Sequence, residues 1–287
     1  MDQDRLKDWT FRYQAIYPVR RTNKQKQRFL SALAADIIKM RQDISIIEYK
    51  QHKKYVSSNL YVGDIEKADQ IICTYYDTPP QSIGAYELFN REKQRQSTMA
   101  FMLISVTLSL LIGLGGTWLY MSNSHQAFKL SSISTLAAMV GYGLYFYLLS
   151  KVAKGLSTRR TLVRNTSSVL ALLCLMAQVD QPKIAYAFID EGCFGERGLE
   201  AMKQSCKKSA QIYLLDCVGA ETPLHVRGPA LPKELAEVNV HQSKGPITTI
   251  FGAKVRPTAQ GNQYYLEPTD LKKMSTDNLA TLIKLFT

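Results

Sequence analysis

Two long stretches of the sequence contain no charged residue. From Gln96 to Gln126 and from Leu130 to Ser150 there is no Lys, Arg, Asp or Glu. A helix of about 20 apolar residues crosses the ~30 Å hydrocarbon core of a bilayer. Two such stretches exclude a simple soluble protein and predict a transmembrane hairpin of residues 98–121 and 130–150. The alternative is a buried hairpin in a soluble core, although core helices seldom run so far without a charge.

Other absences narrow the class of protein further. None of the 287 residues falls in a low-complexity segment, which argues against disorder, collagen and coiled coil. The five cysteines are odd in number and form no CxxC pair, so free thiols in a reducing compartment fit better than disulfides. No secretory leader is visible, because the opening residues are rich in Lys and Arg and hold no long apolar run.

Positive charge is in excess but is not concentrated. The net charge is +12, with an excess of +5 in residues 1–97 and +6 in residues 151–287. A nucleic-acid surface needs its basic residues on one face or helix, so no nucleic-acid partner is expected. The lipid bilayer, with its anionic inner leaflet, is the simpler partner for a diffuse basic excess.

Basic residues also flank the predicted hairpin on one side. Three precede the first span closely and four follow the second, whereas the connecting loop holds a single Lys. The positive-inside rule then places both termini and the α/β domain in the cytoplasm. We therefore expect an integral protein of the cell membrane, with the short loop outside. The sequence does not give its oligomeric state.

Helix-like and strand-like patterns alternate on either side of the hairpin. Strands are predicted at Ile44–Tyr49, Asn59–Val62, Gln70–Tyr75, Lys183–Ile189, Gln211–Leu215 and Ile247–Phe251. Helices are predicted at about 24–42, 167–178, 197–208 and 270–286, the second capped by Asn165 or Thr166. The basic, aromatic stretch around Trp9 fits a membrane-surface segment or an ordinary amphipathic helix equally well.

Neither flanking piece has enough strands to close a good sheet alone. Residues 1–97 and 151–287 are therefore predicted to form a single discontinuous α/β domain, with a central mixed sheet flanked by helices. Residues 98–150 form the inserted transmembrane helical hairpin.

Acidic residues follow three of the predicted strands, as Asp77, Asp190–Glu191 and Asp216. Sites in α/β sheets collect at the carboxyl ends of strands. Read in chain order, the segments SNLYVGDIEKADQIICTYYDTP, RNTSSVLALLCLMAQ, KIAYAFIDEGCFGERGLEAM, IYLLDCVG and YYLEPTDLKKMS resemble the zinc aminopeptidases of peptidase family M-twenty-eight. The resemblance covers roughly 30–287 without the hairpin and implies a zinc-aminopeptidase-like fold. Some bacterial members of that family are membrane-bound.

The resemblance implies two zinc ions, held by a His, a bridging Asp, a Glu, an Asp and a second His. A further Glu beside the ligand Glu serves as general base. The position of the first His is occupied by Tyr75, although the Asp that would orient it is present as Asp77. The position of the bridging Asp is occupied by Arg164, which exchanges an anion for a cation.

The remaining ligand positions are mostly changed as well. An ungapped alignment places Gly192 and Cys193 at the Glu pair, whereas a slip would place Asp190–Glu191 there. The position of the fourth ligand, an Asp, is still occupied by an Asp, Asp216. The position of the second His is occupied by Leu266. The resemblance, with these departures, therefore implies a degenerate metal site with no metal, no cofactor and no catalytic residue.

We expect Arg164 to fill the vacated metal position by pairing with Asp77 or Asp216. Two weaker hypotheses concern Cys193. In the first, Cys193 forms a replacement metal site with Asp216 and His225. In the second, Cys193 acts as a nucleophile in the positive field of Arg164.

The resulting prediction is a membrane-anchored pseudopeptidase, not an enzyme. It would bind a peptide or membrane-protein partner as a subunit of a membrane processing or export assembly. The alternatives are an active membrane metallopeptidase with rearranged ligands and a purely structural membrane subunit.

Overall fold

A computed structural model describes residues 3–52, 55–123, 132–159, 161–179, 181–193, 195–229, 231–233, 235–259 and 261–287, with the backbone alone for 50–52 and 55. The described chain forms two compact units. Unit 1 comprises Met1–Pro79, Ala85–Leu88 and Thr158–Thr287, and unit 2 comprises Pro80–Gly84 and Phe89–Ser157. The predicted loop between the two spans, residues 122–129, lies mostly outside the described residues.

Unit 1 is a mixed α/β structure. Its helices are α1 Gln3–Phe11, α2 Asn23–Ile38, α5 Ser167–Gln178, α6 Arg197–Ser205 and α7 Thr276–Phe286, with π-helical turns at Arg12–Ile16 and Leu162–Thr166. Its strands are β1 Ile44–His52, β2 Tyr55–Val62, β3 Gln70–Tyr75, β4 Tyr86–Glu87, β5 Ile184–Ile189, β6 Gln211–Asp216, β7 Leu224–Gly228, β8 Val238–Gln242, β9 Ile247–Gly252, β10 Lys254–Thr258 and β11 Gly261–Leu266.

Eight strands form the main sheet, in the order β1-β2-β5-β3-β6-β9-β7-β8. The four central strands β5, β3, β6 and β9 are parallel. They read as nearly continuous apolar runs because helices cover both faces of a parallel sheet. A second, antiparallel sheet has the order β10-β11-β4.

Alternate side chains of the central strands belong to two different hydrophobic cores, one on each face of the main sheet. On β3, Ile72 packs with α1, α2, α5 and α7, whereas Ile71 and Cys73 pack with α6 on the other face. Successive side chains of a strand point to opposite faces, so the period-two pattern positions both helix layers. The α5 helix is the most deeply placed, since its residues from Ser167 to Met176 are all buried.

Several predicted boundaries are confirmed and others are wrong. β3 and α5 coincide with their predictions, Gln70–Tyr75 and 167–178. The predicted cap of α5 is not formed, because Thr166 makes no capping hydrogen bond and a π-helical turn leads into the helix. The last helix begins at Thr276 instead of residue 270, because the Ser275 side chain caps it there.

Unit 2 contains two long helices, α3 Arg91–Asn123 and α4 Ile133–Ala153. By length and composition, both are able to cross a membrane. Tyrosines link them. The Tyr145 hydroxyl donates to the Ser109 carbonyl at 3.1 Å, and the hydroxyls of Tyr142 and Thr117 lie 2.5 Å apart. Large apolar side chains of both helices are exposed, among them Leu103, Ile112, Leu114, Trp118, Ile133 and Val140.

Candidate functional site

The acids predicted at strand ends lie along one edge of the main sheet. β3 has β5 on one side and β6 on the other, and all three are parallel. Their carboxyl ends are therefore neighbours, and the chain carries Asp77, Asp190 and Asp216 at these ends. Ligands of open α/β sheets bind outside such ends, so this carboxyl edge is the candidate site.

Asp77 is held by the backbone of the loop that follows β5. Its carboxylate accepts hydrogen bonds from the amides of Gly192 at 2.9 Å and Cys193 at 3.0 Å. Burial raises the pKa of the Asp77 carboxyl and the nearby Asp190 raises it further, whereas a neighbouring lysine and the two amides oppose the rise. Both oxygens of Asp77 are thus engaged by the protein itself.

Gly192 lets this loop pass directly over the ring of Tyr75. A Cβ atom at Gly192 would lie 2.0 Å from a ring carbon of Tyr75, so a larger residue does not fit without movement. Next to it, Glu191 has a φ of 57°, and Cys217 after β6 has a φ of 53°. Left-handed backbone is uncommon outside glycine and concentrates at functional sites. Two strand ends of this edge therefore carry strained backbone.

Asp190 is neutralised by a lysine from α2. The Lys26 Nζ lies 2.5 Å from Asp190 Oδ1, and the Asp190 side chain is fully buried. The same oxygen accepts a hydrogen bond from the Glu191 amide at 2.7 Å, and the Asp190 amide donates to Asn59. Buried ion pairs need such additional hydrogen bonds. Asp190 therefore belongs to an internal network.

Arg20 is a fully buried cation at the same edge. Its Nη2 donates to the Thr166 hydroxyl at 2.7 Å, and its guanidinium lies 4.5 Å from the centre of the Phe29 ring. Among the described residues, Nε and Nη1 of Arg20 have no hydrogen-bond partner, although buried polar groups normally have one. Burial lowers the pKa of Arg20 to about 10, against the attraction of Asp77 and Cys193.

Arg164 stacks on an aromatic ring. Its guanidinium lies 3.9 Å from the centre of the Tyr86 ring, and the Tyr86 hydroxyl donates to Asp216 at 3.3 Å. Burial lowers the pKa of Arg164, but Tyr86, two nearby cysteines and Asp216 raise it, and the net change is upward. Arg164 is therefore linked to Asp216 through Tyr86, and its direct pairing with Asp77 or Asp216 stays a prediction.

Cys193 bonds through its amide to the Asp77 carboxylate and lies within electrostatic range of three arginines. It acts electrostatically on the pKa of Arg20, Arg21 and Arg164. Its side chain is half-buried, whereas Cys217 is buried and its pKa is held well above the ordinary value by burial above all. Positive surroundings with partial exposure favour a reactive thiol.

The residues at this edge do not fit the two-zinc centre that the resemblance implies. Zinc takes Cys, His or carboxylate ligands. Arg164 brings a cation, Leu266 is a fully buried apolar residue beside Tyr264, and both oxygens of Asp77 accept backbone amides. Within the described part of the chain, no group of three or more His, Cys, Asp or Glu side chains is arranged to hold a metal ion.

His225 pairs with another histidine instead of joining the predicted replacement site. Its Nε2 lies 3.1 Å from the carbonyl oxygen of Ala253, and its Nδ1 lies 3.1 Å from Nε2 of His241. Because a carbonyl only accepts, Nε2 of His225 carries the proton. Burial above all lowers the pKa of His225 below 6.5. No three-ligand group within the described ranges includes it.

Three residues of this edge escape prediction from the sequence, namely Arg20, Lys26 and Tyr86. Each makes its contact across a long sequence separation, as between Tyr86 and Asp216, and no local pattern encodes such a contact. The only sequence feature that points to one of them is the consecutive pair Arg20–Arg21. This pair ends the segment that the sequence predicts to be a membrane-surface segment or an amphipathic helix.

Comparison with known proteins shows the fold. No protein-family model and no curated protein matches the sequence. A glutaminyl cyclase from Bacteroides thetaiotaomicron matches with a TM-score of 0.54 and 12% identity, over 99% of this chain and 95% of that one. A Zn-dependent exopeptidase from Parabacteroides distasonis gives 0.53 and 11%, over 97% and 96%. A leucine aminopeptidase precursor from Bacteroides thetaiotaomicron gives 0.52 and 11%, over 99% and 94%.

The matched structures confirm the predicted fold and contradict the prediction about activity. They confirm a mixed α/β fold of the aminopeptidase type, with a large central sheet and flanking helices. The prediction that the chain is not an enzyme is wrong, because solved structures matched over nearly their whole length are those of enzymes.

Proposed function

We propose that the chain is a membrane-anchored, peptidase-like enzyme that acts on a peptide at the carboxyl edge of β3, β5 and β6. The observation that carries the proposal is the placement of Asp77, Cys193 and Asp216 at three adjacent strand ends of an aminopeptidase-like sheet. Two solved proteins of this fold are named as an aminopeptidase and an exopeptidase, which favours a peptide substrate.

The three residues have different roles in this proposal. Cys193 and Asp216 are half-buried, so they are the groups that face a bound substrate. Asp77 is a positioning residue, because it fixes the backbone of the loop that carries Cys193. Misplacement of a reacting group by about 1 Å can cost on the order of 10²-fold in rate.

Membrane anchoring by α3 and α4 is supported by their exposed side chains. A buried hairpin in a soluble core would cover its apolar residues, yet Leu114, Trp118, Val140 and Phe146 are all more than half exposed. Apolar patches of that extent mark a membrane or a partner. A second helix, lipid tails or a membrane-protein partner would cover them.

Turnover by the full chain in detergent tests the enzymatic proposal. Purified protein is incubated with a mixture of short peptides, with and without added zinc, and cleavage or cyclisation is followed by mass spectrometry. We expect turnover by the unaltered chain and an approximately 10²-fold loss in Asp77→Asn, because the loop of Cys193 is released.

The matched control lies at the other end of the same strand. Asp69 precedes β3 and pairs at the surface with Lys207 and Lys183, so Asp69→Asn should turn over peptide normally. Equal losses in Asp69→Asn and Asp77→Asn, or no product from any peptide under either condition, would refute the proposal.

Labelling of native cysteines tests the anchoring and its direction. Cys206 in unit 1 is half-buried. If unit 1 is cytoplasmic, a membrane-impermeant maleimide labels Cys206 in lysed cells and spares it in intact cells. Labelling in intact cells, or recovery of the chain in the soluble fraction without detergent, would contradict the proposed topology.

A further inference from the structure

Among the described residues, the buried Arg20 makes no ion pair with the acids of the carboxyl edge. Lys26 forms an ion pair with Asp190, and the Asp77 carboxylate is engaged by the amides of Gly192 and Cys193. The guanidinium of Arg20 donates a hydrogen bond to neither acid, because Nη2 bonds to Thr166 and Nε and Nη1 have no partner among the described residues. A buried charge without a direct partner is costly, because its lost hydration is not replaced.

The buried Arg20 retains unused hydrogen-bonding capacity. It is fully buried, its Nη2 bonds to Thr166, and among the described residues its Nε and Nη1 have no partner. The planar guanidinium offers paired donors in the geometry that a carboxylate accepts. Unpartnered donors of this kind indicate a ligand that supplies oxygen atoms.

Further arginines extend the positive region towards solvent. Arg21 and Arg164 are half-buried, and each lies in electrostatic range of Cys193, as does Arg20. Arg164 and Thr166 share one five-residue π-helical turn, and Thr166 accepts the hydrogen bond of Arg20. The hydrogen bond of Arg20 thus holds it against the turn that carries Arg164.

We infer that Arg20 and Arg164 form an anion site at the carboxyl edge, which takes the free carboxylate of a peptide ligand. The site inverts the charge preference of a two-zinc centre at the corresponding positions. The identity of the ligand as a peptide rests on the proposed function, whereas the anion site itself does not. A net charge of +12 would also draw anionic ligands to the molecule.

Calorimetry on the full chain in detergent micelles tests this inference. The probes are acetate, inorganic phosphate, acetyl-alanyl-alanine and the amide of the same dipeptide. We expect the free dipeptide to bind at least about tenfold more tightly than its amide, because an arginine–carboxylate pair is lost in the amide. Acetate should bind weakly. Competition by phosphate at equal strength would identify a free inorganic anion as the ligand and refute the peptide assignment.

Arginine variants locate the site. Arg164→Gln should weaken binding of the free dipeptide at least about tenfold and leave binding of the amide unchanged. The matched control is Arg256→Gln, because Arg256 also stacks on a tyrosine, 4.6 Å from the ring of Tyr265, but belongs to β10. Equal binding by both variants would overturn the inference.

Arg20→Met tests the buried member of the site. A hydrophobic residue of similar length often replaces a buried charge without loss of stability, and binding of the free dipeptide should then be lost. If this variant does not fold, alkylation of cysteines in the unaltered chain tests whether the dipeptide binds at this site. Bound dipeptide should slow modification of Cys193 by iodoacetamide and leave Cys206 unaffected. Equal modification of both with and without dipeptide would refute the site.

Different results would refute the enzymatic proposal and the anion site. If the dipeptide binds through its carboxylate but no peptide is converted, the anion site stands and the enzymatic proposal falls. If peptides are converted while the free and amidated dipeptides bind alike, the enzymatic proposal stands and the anion site falls.

Discussion

Single residues decide the charge of the carboxyl edge. A carboxylate that bridges two zinc ions attracts them, whereas the guanidinium of Arg164 repels them. Two like unit charges 4 Å apart repel by about 4 kcal/mol near a protein surface, and a zinc ion carries two. Leu266 is buried and offers no metal ligand, and Arg20 adds a second, buried cation. The edge thus presents cations, whereas a zinc centre needs Cys, His or carboxylate ligands.

Gly192 provides a residue-scale test of the loop that follows β5. A Cβ at this position would meet the ring of Tyr75 at 2.0 Å. Gly192→Ala should therefore lower the free energy of unfolding by about 1–3 kcal/mol, as overpacking does. Urea denaturation measures the change. Gly245→Ala is the control, because its nearest atom is 3.9 Å away, and a loss as large there would contradict the assigned contact.

The histidine pair predicts a dependence of stability on pH. The folded pKa of His225 lies below 6.5, so the unfolded chain binds the proton more readily. The contribution of His225 to stability is therefore complete above pH 6.5 and is lost as the pH falls through its folded pKa.

His225→Phe should flatten this acid-side loss while keeping the stacking on Phe251. Above pH 6.5 it should cost about 1–3 kcal/mol, because the Ala253 carbonyl loses its donor. Denaturant unfolding at several pH values measures both effects. A variant with the slope of the unaltered chain would contradict the role assigned to His225.

Elements with strong local patterns are predictable from the sequence. β3 and α5 are continuous apolar runs with clear ends, and their predicted bounds hold. The sequence does not predict β8 and β10, because they are short and largely exposed and lack the apolar pattern of a buried strand. It does not predict the turn before α5 either, because Thr166 and Asn165 bond to Arg20 and Asp77, which are remote in sequence.

The first helix offers an element-scale prediction. Its segment fitted a membrane surface or an amphipathic helix, and the structure places Leu6, Trp9 and Tyr13 in the core of unit 1. Trp9 is 5% exposed, so Trp9→Ala should cost about 3–5 kcal/mol. Phe11 is 64% exposed, and Phe11→Ala should stay within about 0.5 kcal/mol. Chemical denaturation compares them, and similar costs would contradict packing of Trp9 in the core.

At the scale of the whole molecule, the fold is predictable from the sequence, whereas the arrangement of the side chains at the site is not. The α/β unit follows from apolar periodicity and is confirmed by solved structures of the same fold. The positions that depart from the zinc pattern, such as Arg164 and Leu266, are also visible in the sequence. The arrangement of Arg20, Tyr86 and Cys193 is not, because folding alone brings together residues so far apart in the chain.

The proposed preference for an anionic ligand over zinc distinguishes this edge from a two-zinc centre. The most direct measurement titrates one sample of the full chain, by calorimetry, separately with zinc chloride and with acetyl-alanyl-alanine. We expect saturable binding of one dipeptide per chain and no stoichiometric binding of zinc. Two zinc ions bound per chain, with no heat from the dipeptide, would contradict this preference.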